Sequence, residues 1–325
     1  MSDWQQACEA ITNAGAIVLC AHRHPDGDGI GAQMGLYHSF RKAGKTVYAH
    51  NRDGVPHMYR FISDTDQITE GTDFPHAGAV DLIICLDSGN IDRLGLPDVF
   101  FHGKTVLNID HHQNNTRFGH INLVAPEASA TGEIVLELIN RLGLPLSSEA
   151  ATAIFTAVLT DTCSFRLANA NARVHRIAAD LIDAGADPWQ ISTGVYENHS
   201  SAWLELLGLC LKTLEIGDKG QSAWLYVNDE MYQKTHANQE DTEGFIEYGR
   251  SLEGVEIAVF IRPEEGQGWK VSFRNKKVAD VAMLATGLGG GGHAYASGCI
   301  LTGTLKEVQS RVKSEVSKLL QELSS

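Results

Sequence analysis

At 325 residues and 43% hydrophobic content, the chain is long enough for two globular domains with separate cores. Its formal charge of −14, with no long Lys/Arg stripe, excludes a protein that grips long duplex nucleic acid by phosphate neutralisation, so any nucleic acid it handles is short. No apolar run approaches the roughly eighteen residues of a membrane helix, and the N-terminus has no basic region before Glu9, which reads as a cytoplasmic protein with no membrane association.

In chain order, residues 3–14 carry Trp4, Ala7, Cys8 and Ile11 at helical spacing. The apolar run Ala16–Ala21 has strand length and ends at His22-Arg23-His24-Pro25-Asp26-Gly27-Asp28-Gly29. A helix over Ile30–Lys42 and a strand over Thr46–Ala49 complete a strand–turn–helix–strand opening. Two further apolar runs finish in polar residues: Asp81–Leu86 at Asp87-Ser88-Gly89-Asn90, and Thr105–Ile109 at Asp110-His111-His112. Buried parallel strands read as unbroken apolar runs, and ligands bind beyond their carboxyl ends. Placed in one parallel sheet, the three runs would set their terminal acids and histidines along one rim.

Helices are expected near 130–142, 148–160 and 171–184, the middle one delivering Asp161 at its end. Residues 189–215 read as a helical linker between a first domain over 1–188 and a second over 216–325. The second has α+β texture, with strands at Ser222–Val227, Val255–Ile261 and Trp269–Phe273 and a last helix over Leu305–Leu323. The six cysteines are scattered and form no C-x-x-C pair, so they read as buried structural thiols.

Oxygen donors with imidazole and no thiolate, drawn from His22, Asp26, Asp28, Asp87, His111 and Asp161, suit Mn²⁺ or a related ion better than structural zinc. Asp26-Gly27-Asp28 sets two carboxylates on a tight turn from which they can diverge to two ions, with Asp87 as the bridge. Such a pair lowers the pKa of bound water and clamps both oxygens of an in-line displacement at phosphorus.

These segments resemble the motifs of the DHH phosphoesterases: His22–Gly31, Leu86–Gly89, Asp110-His111-His112 with Asn114-Asn115, and Thr160-Asp161-Thr162. The C-terminal part is similar to the DHH-associated domain of RecJ-like enzymes. It carries Val271–Arg274, Val278–Ala282, Gly290-Gly291-Gly292-His293 and Ala296-Ser297-Gly298. The resemblance implies an α/β fold: a parallel-sheet catalytic domain joined by a helical linker to a smaller α+β domain. It further implies two Mn²⁺, with Mg²⁺ or Co²⁺ as substitutes. His22, Asp26 and Asp87 would hold one ion, and Asp28, Asp87, His111 and Asp161 the other. His112 would contact the scissile phosphate and Asp110 would orient the histidines. Arg274, the glycines Gly290, Gly291 and Gly292, and His293 would grip phosphate or nucleotide. The nearest group in resemblance is the bifunctional nanoRNase and 3′-phosphoadenosine 5′-phosphate phosphatases. Short oligonucleotides or nucleotides would be the substrates, and a homodimer is the working expectation.

Blander readings stand beside several of these. His24 and Arg23 read as solvated loop residues, as does Arg166. Ser129 and Thr131 precede a helix and serve equally as caps or phosphate contacts. The Gly-rich turn and His293 after Asn275-Lys276-Lys277 favour a nucleotide-handling enzyme over the superfamily's manganese pyrophosphatases. Cleavage of linear or cyclic dinucleotides such as cyclic di-AMP is the main alternative, followed by RecJ-like exonuclease action and then by a non-catalytic nucleotide sensor. Because substrate would touch both domains, the linker is expected to let the cleft open and close.

Overall fold

The structure, a computed structural model, describes residues 2–264, 266–276 and 279–323, without the side chain of His293. The chain divides into two units, Met1–Asn198 and His199–Ser325. No helix among the described residues is long and apolar enough to cross a membrane.

In the first unit, α1 (Asp3–Asn13) buries Ala7 and Ile11, the face its spacing predicts. There follow β1 (Ala16–Ala21), α2 (Gly27–Lys42), β2 (Thr46–Asn51), β3 (Ile68–Glu70), β4 (Leu82–Leu86), β5 (Thr105–Asp110) and β6 (Ile121–Val124). Four helices close the unit: α3 (Thr131–Arg141), α4 (Ser148–Asp161), α5 (Ala172–Asp183) and α6 (Pro188–Tyr196). The sheet is parallel throughout, in the order β3-β2-β1-β4-β5-β6. Strand order therefore reverses between β1 and β4, the position where open α/β sheets leave a crevice. In register, Ala21 pairs with Leu86 and Leu86 with Ile109, so the residues that follow all three strands reach the same rim. The shared rim expected from the sequence is present.

Alternate side chains explain why β1, β4 and β5 are apolar without a break. Ile17, Leu19, Ile84, Leu107 and Ile109 join the core built on α2, α3 and α4. Val18, Cys20, Ile83, Cys85 and Val106 face the other way, against Phe74, Leu94 and Phe100 from the connections between strands, the last two on short 3-10 helices. None of the six cysteines forms a disulfide, and Cys20, Cys85, Cys210 and Cys299 are buried, as structural thiols should be.

One departure from expectation positions the site. The helix begins at Gly27, not Ile30, because the Asp26 side chain caps it, accepting from the Asp28 and Gly29 amides at 3.0 and 3.1 Å. Asp28 thus stands in a helical first turn instead of a loop. Gly27, Gly31 and Gly35 then form a stripe along α2 facing α4: added Cβ atoms would meet Thr160, Ala153 and Ile154 respectively, at 2.4, 2.4 and 2.5 Å. The two helices run antiparallel in near backbone contact, bringing the start of α2 beside Asp161 at the end of α4.

At Gly31 the obstacles are the Ala153 carbonyl oxygen and the Ala157 amide nitrogen, at 2.4 and 2.8 Å, which cannot step aside as a flexible side chain would. Alanine would gain about 1 kcal/mol of helix propensity there, but the overpacking, typically about 1–3 kcal/mol and more against backbone, decides the sign. Gly31→Ala should therefore lower the melting temperature. Gly208→Ala, with no atom within 4 Å of the new methyl, should leave it unchanged or raise it. A Gly31→Ala protein that melts no lower than wild type would contradict the close helix contact.

The second unit begins with α7 (Ser201–Leu211), so residues 189–215 contribute α6 to the first unit and α7 to this one. Next come β7 (Glu215–Gly217), β8 (Ser222–Tyr226), α8 (Asp229–Thr235), α9 (Phe245–Arg250), β9 (Ile257–Glu264) and β10 (Gly268–Asn275). The unit ends with α10 (Val281–Gly287), β11 (Gly291–His293), β12 (Ala296–Leu301) and α11 (Leu305–Leu323). Its sheet has the order β11-β12-β10-β9-β8-β7, antiparallel except for β8 with β9. One face packs Val259, Ile261, Val271 and Phe273 against α10 and α11, while Leu225, Ala258 and Phe260 on the other pack with residues of α7 and α9.

Candidate metal centre

Each strand that ends at the switch point hands over to a ligand-type side chain. His22 is the first residue after β1, Asp87 the first after β4, and His111 the first after β5. Asp26 and Asp28 stand at the start of α2, and Asp161 is the last residue of α4. His22, Asp28, Asp87 and His111 are all buried, whereas Asp26 stays open to solvent.

The donor atoms fall into two neighbouring sets that share Asp87. The His22 Nε2 lies 3.3 Å from Asp87 Oδ2 and 3.8 Å from Asp26 Oδ1. The His111 Nε2 lies 3.6 Å from Asp28 Oδ2 and 3.7 Å from both Asp87 Oδ1 and Asp161 Oδ2. In His22-Asp26-Asp87 and in Asp28-His111-Asp161, the three candidate ligand atoms all lie within 4.8 Å of one another. Both imidazoles point Nε2 at the carboxylates because Nδ1 is engaged behind: His22 Nδ1 with the Arg23 carbonyl at 2.7 Å, His111 Nδ1 with the Ala128 carbonyl at 3.2 Å.

A third group, Asp87-His111-His112, satisfies the same distance test. However, His112 Nδ1 is committed to Asp110 Oδ1 at 2.7 Å, nearer than its 3.6 Å approach to Asp87. That contact fixes the orientation of the His112 ring. Asp110 thus orients His112, while the Ala128 carbonyl performs that task for His111. Asp110 is itself fixed by Asn115, whose Nδ2 donates to Asp110 Oδ2 at 2.6 Å and also reaches the Ser88 carbonyl and Asn108 Oδ1.

Electrostatics identify what the cluster lacks. Burial would lower the imidazoles, but Asp26 and Asp87 raise His22 to about 10, and Asp161, Asp28 and Asp87 raise His111 to about 10. Burial works to raise Asp87, yet the His22 contact and the surrounding imidazoles hold it well below the carboxylate range. Burial and neighbouring acids push Asp161 up to about 6, and push Asp28 well above its ordinary value despite the opposing pull of His111. Asp161 Oδ2 is buried with no hydrogen-bond donor among the described residues. A crowd of desolvated carboxylates with an unsatisfied acceptor at its centre fits divalent cations, which would offset the repulsion that protons offset otherwise.

Two contributions escaped the sequence reading. The Thr131 and Gly132 amides at the start of α3 donate to the two oxygens of Asp28 at 2.6 and 2.9 Å, and Thr131 Oγ1 donates to Asp87 Oδ1 at 3.2 Å. Thr131 therefore does not cap its own helix; it holds two carboxylates of the cluster, with the positive helix end beneath Asp28. Ser129 donates its amide and hydroxyl to Glu133. Nothing in a single Ala-Thr-Gly stretch signals these contacts, which span more than forty residues of sequence. Asn115 was visible only as a neighbour of the histidine pair.

The remaining candidates have partners of their own. His24 packs beside Asp53, its Nδ1 3.6 Å from Oδ2, and Arg166 Nε donates to the Cys163 carbonyl. In the second unit Arg274 Nε sits 3.5 Å from Glu247 Oε1, and its guanidinium also donates to the Phe273 carbonyl. Of the glycines, Gly291 and Gly292 form β11 with the backbone of His293; Cβ atoms on Gly290 and Gly292 would strike Gly298 and Ala296 of β12 at 2.1 and 2.6 Å. Strand packing thus accounts for those two glycines without an anion. The side chain of His293 and the Lys277-Val278 part of the motif lie outside the described residues.

Residues 16–158 match the DHH family, N-terminal domain, and residues 223–323 match the DHHA1 domain. The chain is 34% identical to the bifunctional oligoribonuclease and PAP phosphatase NrnA of Thermus thermophilus, over 89% of this chain and 85% of that one. Identity to the Bacillus subtilis protein of the same name is 26%, over 87% and 88%. A crystal structure of an exopolyphosphatase-related protein from Bacteroides fragilis superposes with a TM-score of 0.91 at 28% identity, covering 99% of this chain and 98% of that one.

Proposed function

This chain belongs to the DHH family, and from that premise we propose that it is a manganese-dependent phosphoesterase. It cleaves very short oligonucleotides to mononucleotides and removes the 3′-phosphate of 3′-phosphoadenosine 5′-phosphate. The observation that carries the proposal is the division of Asp87: one oxygen faces His22 and the other faces His111, so a single carboxylate belongs to both donor sets. His22, Asp26 and Asp87 would hold one ion, and Asp28, Asp87, His111 and Asp161 the other. Bound there, the ions would supply an activated water and charge compensation at the phosphate. Oxygen and imidazole donors without thiolate favour Mn²⁺.

The chain's own residues supply the rest. Asp110 holds His112 in one tautomer, so that Nε2 meets the scissile phosphate without ring reorientation. Thr131 keeps the Asp87 carboxylate from rotating away from its divided position. Arg274 is assigned a phosphate contact, which requires its guanidinium to exchange Glu247 for a stronger anionic partner.

A panel of substrates given to the Mn²⁺-loaded protein tests this function: a dinucleotide, five-nucleotide and longer RNA, the bisphosphate, cyclic di-AMP and pyrophosphate. Mononucleotides should appear from the shortest RNAs and orthophosphate from the bisphosphate, with long RNA and pyrophosphate poor substrates. The proposal fails if dinucleotide and bisphosphate both survive intact. Asp110→Asn, which cannot hold the imidazole as a carboxylate does, should lower kcat about 10- to 100-fold with the metal content unchanged. Loss of metal in that variant would make Asp110 a ligand and not an orienting group.

A further inference from the structure

A row of cations on the second sheet runs from Arg274 to two, Lys270 and Arg262, that have no part in the function described so far. In register, Arg262 of β9, Lys270 of β10 and Ile300 of β12 stand side by side, on the face opposite Val271 and Phe273. Two residues further along β10, Ser272 lies between Phe260 and Gly298; two further still, Arg274 lies between Ala258 and Ala296. The floor between Lys270 and Arg274 is therefore made of Ser272, Gly298 and Ala296, half-buried residues too small to fill it. The strand rise puts its two cationic ends about 13 Å apart, more than a single phosphodiester step spans.

The charges along this row are unequally satisfied. Arg262 is paired with Glu264 at 2.8 Å, and Arg274 approaches Glu247, which is also held by Arg250 at 2.6 Å. Lys270 is half-buried, yet no carboxylate among the described residues lies within 4.0 Å of its ammonium, and it makes no hydrogen bond. Glu243 and Glu264 act on it only at longer range, against Arg262 and Arg274. Partly desolvating a lysine beside two guanidinium groups without a counter-ion is costly unless an anion arrives from outside. In a chain of net charge −14, such a group is out of keeping with its surroundings.

We propose that Lys270, supported by Arg262, forms a second anion subsite that takes a phosphodiester of the oligonucleotide further along the strand than the phosphate assigned to Arg274. The subsite rests on the oligonucleotide function above and gives it a length preference: a nucleotide with its phosphates on one ribose does not reach both ends of the floor, whereas a strand of several residues does. Ile300, 45% exposed beside Lys270, offers an apolar surface for the adjoining sugar or base.

Lys270 is the residue to change, since removing Arg262 would strand the half-buried Glu264. Metal-loaded wild type, Lys270→Gln and Lys270→Arg would be titrated with a fluorescein-labelled, phosphorothioate-linked five-nucleotide RNA, with 3′-phosphoadenosine 5′-phosphate as competitor. Lys270→Gln should bind the RNA about five- to tenfold more weakly. Its log–log salt dependence should be shallower by about 0.7, its affinity for the bisphosphate should not change, and Lys270→Arg should restore RNA binding. Unchanged RNA affinity in Lys270→Gln overturns the subsite alone. Equal weakening for RNA and bisphosphate also overturns it, because Lys270 would then act through the fold or the shared phosphate contact. A wild-type protein that binds the bisphosphate but no five-nucleotide RNA also overturns the subsite, whereas the function itself stands or falls on hydrolysis of the dinucleotide and the bisphosphate.

Discussion

Asp87→Asn should reduce hydrolysis of dinucleotide RNA and of the bisphosphate together, by on the order of 10³-fold or more, and should lower the bound metal per chain. Asparagine is the informative replacement because Asp87 sits at a positive φ of 54°, a backbone region that asparagine adopts more readily than alanine. The fold should persist, since the variant keeps the side-chain volume and its amide oxygen can still accept from Thr131. What is lost is the charge that serves both donor sets at once. Near-normal turnover with full metal content would refute the sharing of Asp87. Normal metal content with lost turnover would move its role from binding the ions to placing them.

Removal of metal should be the other large effect. Dialysis against chelator should bring hydrolysis to background, with Mn²⁺ restoring it, and the pH dependence of reloading follows from the imidazoles. His22 and His111, raised to about 10, hold protons in the metal-free site throughout the neutral range. A ligand nitrogen must be unprotonated, so each ion that binds expels a proton. Affinity should accordingly rise with pH up to about 10, with a limiting slope near two protons per chain, and weaken further below about 6 as Asp161 protonates. Calorimetry in buffers of different ionisation enthalpy measures the released protons directly. Affinity that stays flat between pH 6 and 9 would exclude His22 and His111 as ligands.

Much of this site could be read from sequence because it is made where apolar runs stop. A buried parallel strand leaves an unmistakable trace, and whatever follows it must lie on the carboxyl rim, so the sequence alone puts His22, Asp87 and His111 there. Asp161 was legible for a similar reason, at the foot of an apolar helix. Less could be known of contacts that join distant segments through the backbone. The α3 amides that seat Asp28 depend on the packing of α2 against α3, and an amide has no residue type to betray it. The earlier start of α2 was missed because two glycines in three residues argue against a helix, although here they are what lets the helix approach its neighbour. In the second unit, β11 is not legible because a run of glycines reads as a turn and not as a strand.

The glycine stripe on α2 also bears on how fast the centre can empty and refill. Asp28 and Asp161 ride on helices whose main chains abut, so their separation is fixed by backbone and not by side chains that repack when an ion departs. The chelated protein should keep its donors at nearly the same spacing, and recovery of activity after Mn²⁺ is returned should follow ion entry and proton loss, within mixing times, with no slow phase from refolding of the chain.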